Sequence, residues 1–109
     1  DNVAIVHTNK DREELEIIIV TSSKFRNKKA RPIVKGFLKR YPEVEREYNR
    51  LKKINEEQTY YFQIIRNGSL RKYIFLENIY TTCVKSAYTP AAIESIKIAR
   101  GQINFNERG

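Results

Sequence analysis

The residues best suited to chemistry in this sequence are cations. Lys24, Arg26, Lys28, Lys29 and Arg31 fall in one short run. Ammonium and guanidinium groups at that density are the usual contacts for phosphate oxygens, although a solvated basic loop is the plainer reading of the same residues. Tyr60, Tyr61, Phe62, Tyr73 and Phe75 could stack on bases in a basic groove; in a small sheet such rings more often form the core. His7 is the single histidine and the obvious general base. A lone histidine near the end of a chain is more often incidental, and it is given no role. Cys83 is the one cysteine and is read as a small buried hydrophobe, so neither a disulfide framework nor a zinc site is available. No metal and no small-molecule cofactor is expected, and the compartment is expected to be reducing and cytoplasmic.

Composition narrows the partner. Lys and Arg number 21 against 13 Asp and Glu, a formal charge of +8 with a pI near 9.7. A polyanion is the expected partner. RNA or DNA is favoured over a membrane, because no apolar run approaches the roughly 20 residues of a spanning helix and no signal peptide opens the sequence. A basic surface kept only for solubility is the alternative. At 109 residues the chain is expected to form one domain with one core.

The elements that must position these residues centre on Thr59 to Pro90. Residues 59 to 65 are aromatic or β-branched, Asn67-Gly68 suits a hairpin turn, and residues 71 to 76 return with similar composition. Glu77-Asn78 suggests another turn and residues 79 to 85 a third strand, giving an antiparallel meander. Leu15 to Val20 is a compact apolar run that joins the same sheet as a strand over 16 to 21. Residues 1 to 14 are an N-terminal extension, either a short extra strand or an arm, before a single domain over 15 to 109.

Between the first strand and the meander the spacing is helical. Pro32 suits a first helical position. Ile33, Phe37, Tyr41, Val44, Tyr48 and Leu51 recur every three or four residues, and Pro42 splits the pattern into helices over about 32 to 40 and 42 to 54, or one sharply kinked helix. Glu43 and Glu45 open the second and Lys52 and Lys53 close it, the order its dipole favours. Asn55 is the expected stop. Thr89-Pro90 is a helix-start signal, and Ala92, Ile96, Ala99 and Ile103 continue it as a helix over about 90 to 101. The expected fold is therefore α+β: a small antiparallel sheet of about four strands, two N-terminal helices and a C-terminal helix.

In that order the chain resembles the RelE/ParE superfamily of toxins from bacterial type II toxin–antitoxin systems, and within it the HigB/RelE-like subgroup. Thr21-Ser22-Ser23-Lys24-Phe25, Phe37-Leu38-Lys39-Arg40-Tyr41-Pro42, Arg71-Lys72-Tyr73-Ile74-Phe75 and the run Cys83 to Arg100 through Thr89-Pro90 carry the resemblance, which covers about residues 16 to 103. It implies a RelE-like fold and a metal-independent, ribosome-dependent mRNA endonuclease that inhibits translation and is held inactive by a cognate antitoxin. The ribosome and mRNA would be its other partners, with no membrane involved. Such a reaction needs a group to take the 2′-proton, cations for the charge building on the phosphate, and an acid for the 5′-oxygen. By the same resemblance Arg71 matches the arginine opening a sheet strand, Lys85 the lysine ending the last one, and Tyr88 the aromatic or basic residue before the last helix. Arg66 and Lys72 fall in the same turn region as phosphate contacts. Where the family's last strand ends in two lysines, this chain has Val84-Lys85. A ParE-like gyrase poison and a non-catalytic basic nucleic-acid-binding module are the alternatives.

Overall fold

Val3–Asp11 (β1) and Glu14–Thr21 (β2) form a long antiparallel pair, in one register from Ile5↔Val20 to Asp11↔Glu14 with a shift between Val3 and Ile5. The computed structural model describes residues 2–11, 14–22, 30–66 and 71–108. Arg31–Pro32 (β3) and Tyr61–Ile65 (β4) extend the sheet beyond β2, and Ala87–Tyr88 (β5) lies parallel to β1, giving the order β3-β4-β2-β1-β5. Residues 3 to 11 are thus an internal strand, which resolves the choice between strand and arm. Among the described residues the sheet is mixed, with five strands, where an antiparallel one of about four was expected.

Helices cover both faces. Alternate residues of a strand point to opposite sides, and β2 divides accordingly. Ile18 and Val20 pack with Phe37, Leu38, Tyr41 and Val44 of the first helical pair, while Leu15 and Ile17 pack with Leu76, Ile79, Ala92 and Ile96 of the later helices. Burial on both faces is why Ile17, Ile18, Ile19 and Val20 read as a continuous apolar run.

The first helical pair is Lys35–Arg40 (α1) and Pro42–Ile54 (α2), joined through Tyr41. Pro42 falls in the first turn of α2, where its missing N–H is not needed. The Asn55 N–H closes that helix on the Leu51 carbonyl at 3.1 Å. Pro32 does not start α1; it stands in β3, with Val34 still extended at φ −125°. An edge strand tolerates a residue without an N–H donor, and β-branched Ile33 and Val34 favour extended backbone.

The largest departure is Arg71–Thr82, which is one helix (α3) and not two strands of a meander. Its buried residues are Lys72, Leu76 and Ile79, and Cys83 follows one turn on. That spacing of four, three and four is a helical stripe, and packing against β2 decides over the β-branched and aromatic composition of the segment. Glu77 and Asn78 lie inside this helix. The expected turn at Asn67-Gly68 falls outside the described residues. Pro90–Arg108 (α4) closes the domain. Thr89 is fully buried and its Oγ1 accepts the Ala92 N–H at 3.2 Å, the side-chain cap expected of it.

Candidate nucleic-acid interface

Arg71 and Lys85 lie at opposite ends of α3, Arg71 as its first residue and Lys85 just past its last turn, and both are exposed. At 1.5 Å per residue the ends of this helix are on the order of 16 Å apart, so the two cations do not converge on one phosphate. The strands that were to end at them are absent among the described residues. Lys85 borders a shallow hollow of 320 Å³ with Val3, Thr82 and Val84.

Tyr88 points elsewhere. Its hydroxyl donates to the carbonyl oxygens of Cys83 at 2.7 Å and Ile79 at 3.1 Å, which also accept the backbone N–H groups of Ser86 and Cys83. Burial first, with the neighbouring Cys83 and Tyr80, pushes its pKa up to about 12. The hydroxyl therefore stays protonated and its proton is engaged by backbone. Nor does Glu77 pair with Arg71 or Lys85: its carboxylate accepts the Arg100 Nε–H at 3.0 Å.

Lys72, expected as a phosphate contact, is turned into the protein. It is 6 % exposed, and its Nζ donates to the carbonyl oxygens of Leu15 at 2.7 Å and Arg66 at 2.9 Å. Arg66, by contrast, sits just past β4 with its side chain 54 % exposed. Its Nε donates to Glu16 Oε2 at 2.6 Å, and Glu16 Oε1 accepts the Asn9 Nδ2–H at 3.1 Å. The Glu16 side chain is 5 % exposed. Burial alone would raise its pKa, but the hydrogen bonds from Arg66 and Asn9 and the charges of Arg66 and Arg40 outweigh it, so the carboxyl titrates below its ordinary range. Sequence reasoning missed Glu16 and Asn9. An acid inside the apolar run Leu15 to Val20 was the available signal, since a buried carboxylate demands partners.

A second polar group surrounds His7. Its Nδ1 lies 2.7 Å from Thr89 Oγ1 and 3.9 Å from Glu43 Oε1, and the same Glu43 oxygen accepts the Ala91 N–H at 3.0 Å. Burial lowers the His7 pKa more than Glu43 raises it, which leaves the imidazole neutral near pH 7. A nucleophilic relay would place the hydroxyl and the carboxylate on opposite ring nitrogens. Here both face Nδ1, and the hydroxyl belongs to a fully buried threonine. The cluster joins β1, α2 and α4 and presents no nucleophile to solvent.

No protein-family model, curated protein or solved structure matches this chain. Its own charge distribution is the remaining guide. Residues 24–40 hold eight Lys and Arg and no Asp or Glu, which equals the formal net charge of +8; the rest of the chain has 13 of each sign. Lys24, Arg26, Lys28 and Lys29 lie outside the described residues. Arg31 on β3 and Lys35, Lys39 and Arg40 on α1 are all exposed. Reading the run as ending at Arg31 missed the last three cations; following the absence of acids along the sequence extends it to Arg40. Among the described residues no helix is long and apolar enough to cross a membrane.

Proposed function

We propose that this domain binds the phosphate backbone of nucleic acid, with residues 24–40 as the main contact and no bond-breaking step of its own. One observation carries the reading: the entire net charge resides in a single acid-free segment, and its described members, Arg31, Lys35, Lys39 and Arg40, are exposed on β3 and α1. A continuous row of cations displaces counterions from a polyphosphate far better than the same charges scattered among acids.

The toxin reading, with a RelE-like fold, cleavage of mRNA on the ribosome and restraint by an antitoxin, rests on the resemblance. It would have Arg71, Lys85 and Tyr88 act on one phosphate. The separation of the first two along α3 and the engagement of the third by backbone favour binding over cleavage.

The test is fluorescence anisotropy with single-stranded RNA and with DNA of the same sequence, across a salt series. If four to eight of these cations meet phosphates, log Kd should change with log salt by a slope of about 3 to 7. Binding without salt dependence would sink the proposal. Expression in a bacterium with mapping of transcript 5′ ends addresses the alternative, since cuts that depend on Arg71 and Lys85 would replace binding with nuclease activity.

A further inference from the structure

We infer that Arg66 is a fixed phosphate contact at the end of the cationic segment, and that Glu16, although acidic, strengthens nucleic-acid binding by holding it in place. The inference rests on the proposed nucleic-acid binding and assigns one of its contact points.

Arg66 is anchored through both its backbone and its side chain. Its carbonyl oxygen accepts the buried Lys72 Nζ at 2.9 Å, which fixes the backbone where β4 ends. Its Nε is bound by Glu16 Oε2 at 2.6 Å, and Glu16 is itself tied to β1 through Asn9. A surface ion pair normally leaves both partners in water. This pair is lopsided: the carboxylate is 5 % exposed and the guanidinium 54 %. The acid is therefore withdrawn from any approaching polyanion, while the cation stands at the surface in a set orientation. Arg40, the last cation of the acid-free segment, is close enough for its charge to bear on Glu16. Arg40 and Arg66 thus both lie near Glu16. Arginine's planar fork suits a phosphodiester's two non-bridging oxygens, and a guanidinium already held in one orientation has less freedom to lose when one binds.

The consequence has an unusual sign. Replacing an acid in a nucleic-acid-binding protein normally tightens binding, because the net charge rises. If Glu16 acts by orienting Arg66, Glu16→Gln should instead weaken binding despite the added charge. The experiment is anisotropy with mixed-sequence single-stranded RNA on wild type, Glu16→Gln and Arg66→Lys, with thermal denaturation of each. We expect both variants to bind about tenfold more weakly. Equal or tighter binding by Glu16→Gln would overturn the inference while leaving the nucleic-acid reading intact. Should Glu16→Gln fail to fold, Arg66→Lys decides, because it keeps the charge and unchanged affinity would mean that orientation is irrelevant. A wild-type protein that binds neither RNA nor DNA removes the reading and the inference together.

Discussion

Lys72 holds the carbonyl oxygen of Arg66 at 2.9 Å from within the protein, with its other hydrogen bond at 2.7 Å to the carbonyl of Leu15. One buried ammonium thereby joins the first turn of α3 to the start of β2 and the end of β4. A charge in that position is stable only because oxygens face it, and the buried Leu15 carbonyl has no water to turn to if it leaves. Lys72→Met should destabilise the domain by about 2 to 4 kcal/mol in a denaturant titration, since hydrogen bonds to a charged group and the desolvation of their acceptors are both lost. The neighbouring exposed Arg71→Ala should stay within about 0.5 kcal/mol of wild type. Equal effects from the two would mean that Lys72 is not the anchor.

Stability should fall as the solution is acidified, for two reasons with the same sign. His7 has a folded pKa below its ordinary value of 6.5, so the unfolded chain takes up the proton first and the stabilising contribution is lost as pH falls through that value. Glu16 is also depressed below its ordinary value of 4.5, and its contribution disappears at still lower pH, as the folded carboxyl is protonated. Urea titrations between about pH 8 and about pH 5 should therefore show a decline that is shallower in His7→Asn than in wild type. A wild-type profile that is flat or rises on acidification would contradict the buried, neutral imidazole.

Loss of the Thr89 hydroxyl should be felt at both of its contacts. It caps α4 through the Ala92 N–H and sits against His7 Nδ1. Thr89→Ala should cost about 1 to 2 kcal/mol, whereas Thr89→Ser, which keeps the oxygen, should recover most of that. Thermal denaturation of the pair separates a capping role from simple loss of volume, because serine lacks the methyl group as well.

Binding through the cationic segment predicts a different pattern. Lys35→Ala and Lys39→Ala change exposed side chains on α1 and should leave stability within about 0.5 kcal/mol. Each should weaken RNA binding and reduce the salt slope by about 0.7 to 0.9. Alanine at exposed Lys97 on α4, outside the segment, should do neither. Equal losses at all three would indicate a diffuse field in place of a located interface.

What could be read from the sequence was what local chemistry decides. Pro42 and Thr89-Pro90 marked helix starts because the missing N–H and the capping hydroxyl act within one turn, and the apolar run Leu15 to Val20 marked β2 because it is buried on both faces. The segment 71 to 82 was misread because Tyr73, Ile74, Phe75 and Ile79 favour strands in isolation, while the stripe Lys72, Leu76, Ile79 and Cys83 acquires meaning only once β2 is there to cover it. The site was less legible than the fold. Arg66 was named, but its acceptor Glu16 lies on β2, fifty residues away, and Lys72 looked like a surface cation until its two carbonyl acceptors were in view.

That misreading can be tested directly at Asn78. In a meander, Asn78 would occupy a turn between strands, where proline is often accepted. In α3 it lies in the interior of a twelve-residue helix, exposed to solvent, so its side chain contributes little and its backbone decides the outcome. Proline there would remove the helical hydrogen bond of residue 78 and press its ring against the preceding turn, a loss of about 3 kcal/mol or more. It would also disturb Leu76 and Ile79, which carry the packing of α3 against the sheet. Asn78→Ala supplies the control, because alanine has the higher helix propensity and should raise stability by about 0.5 kcal/mol. Denaturant midpoints that drop for proline and rise slightly for alanine support the helix. A proline variant as stable as wild type would mean that residues 71 to 82 are not helical, and the placement of Lys72 beneath Arg66 would have to be abandoned with it.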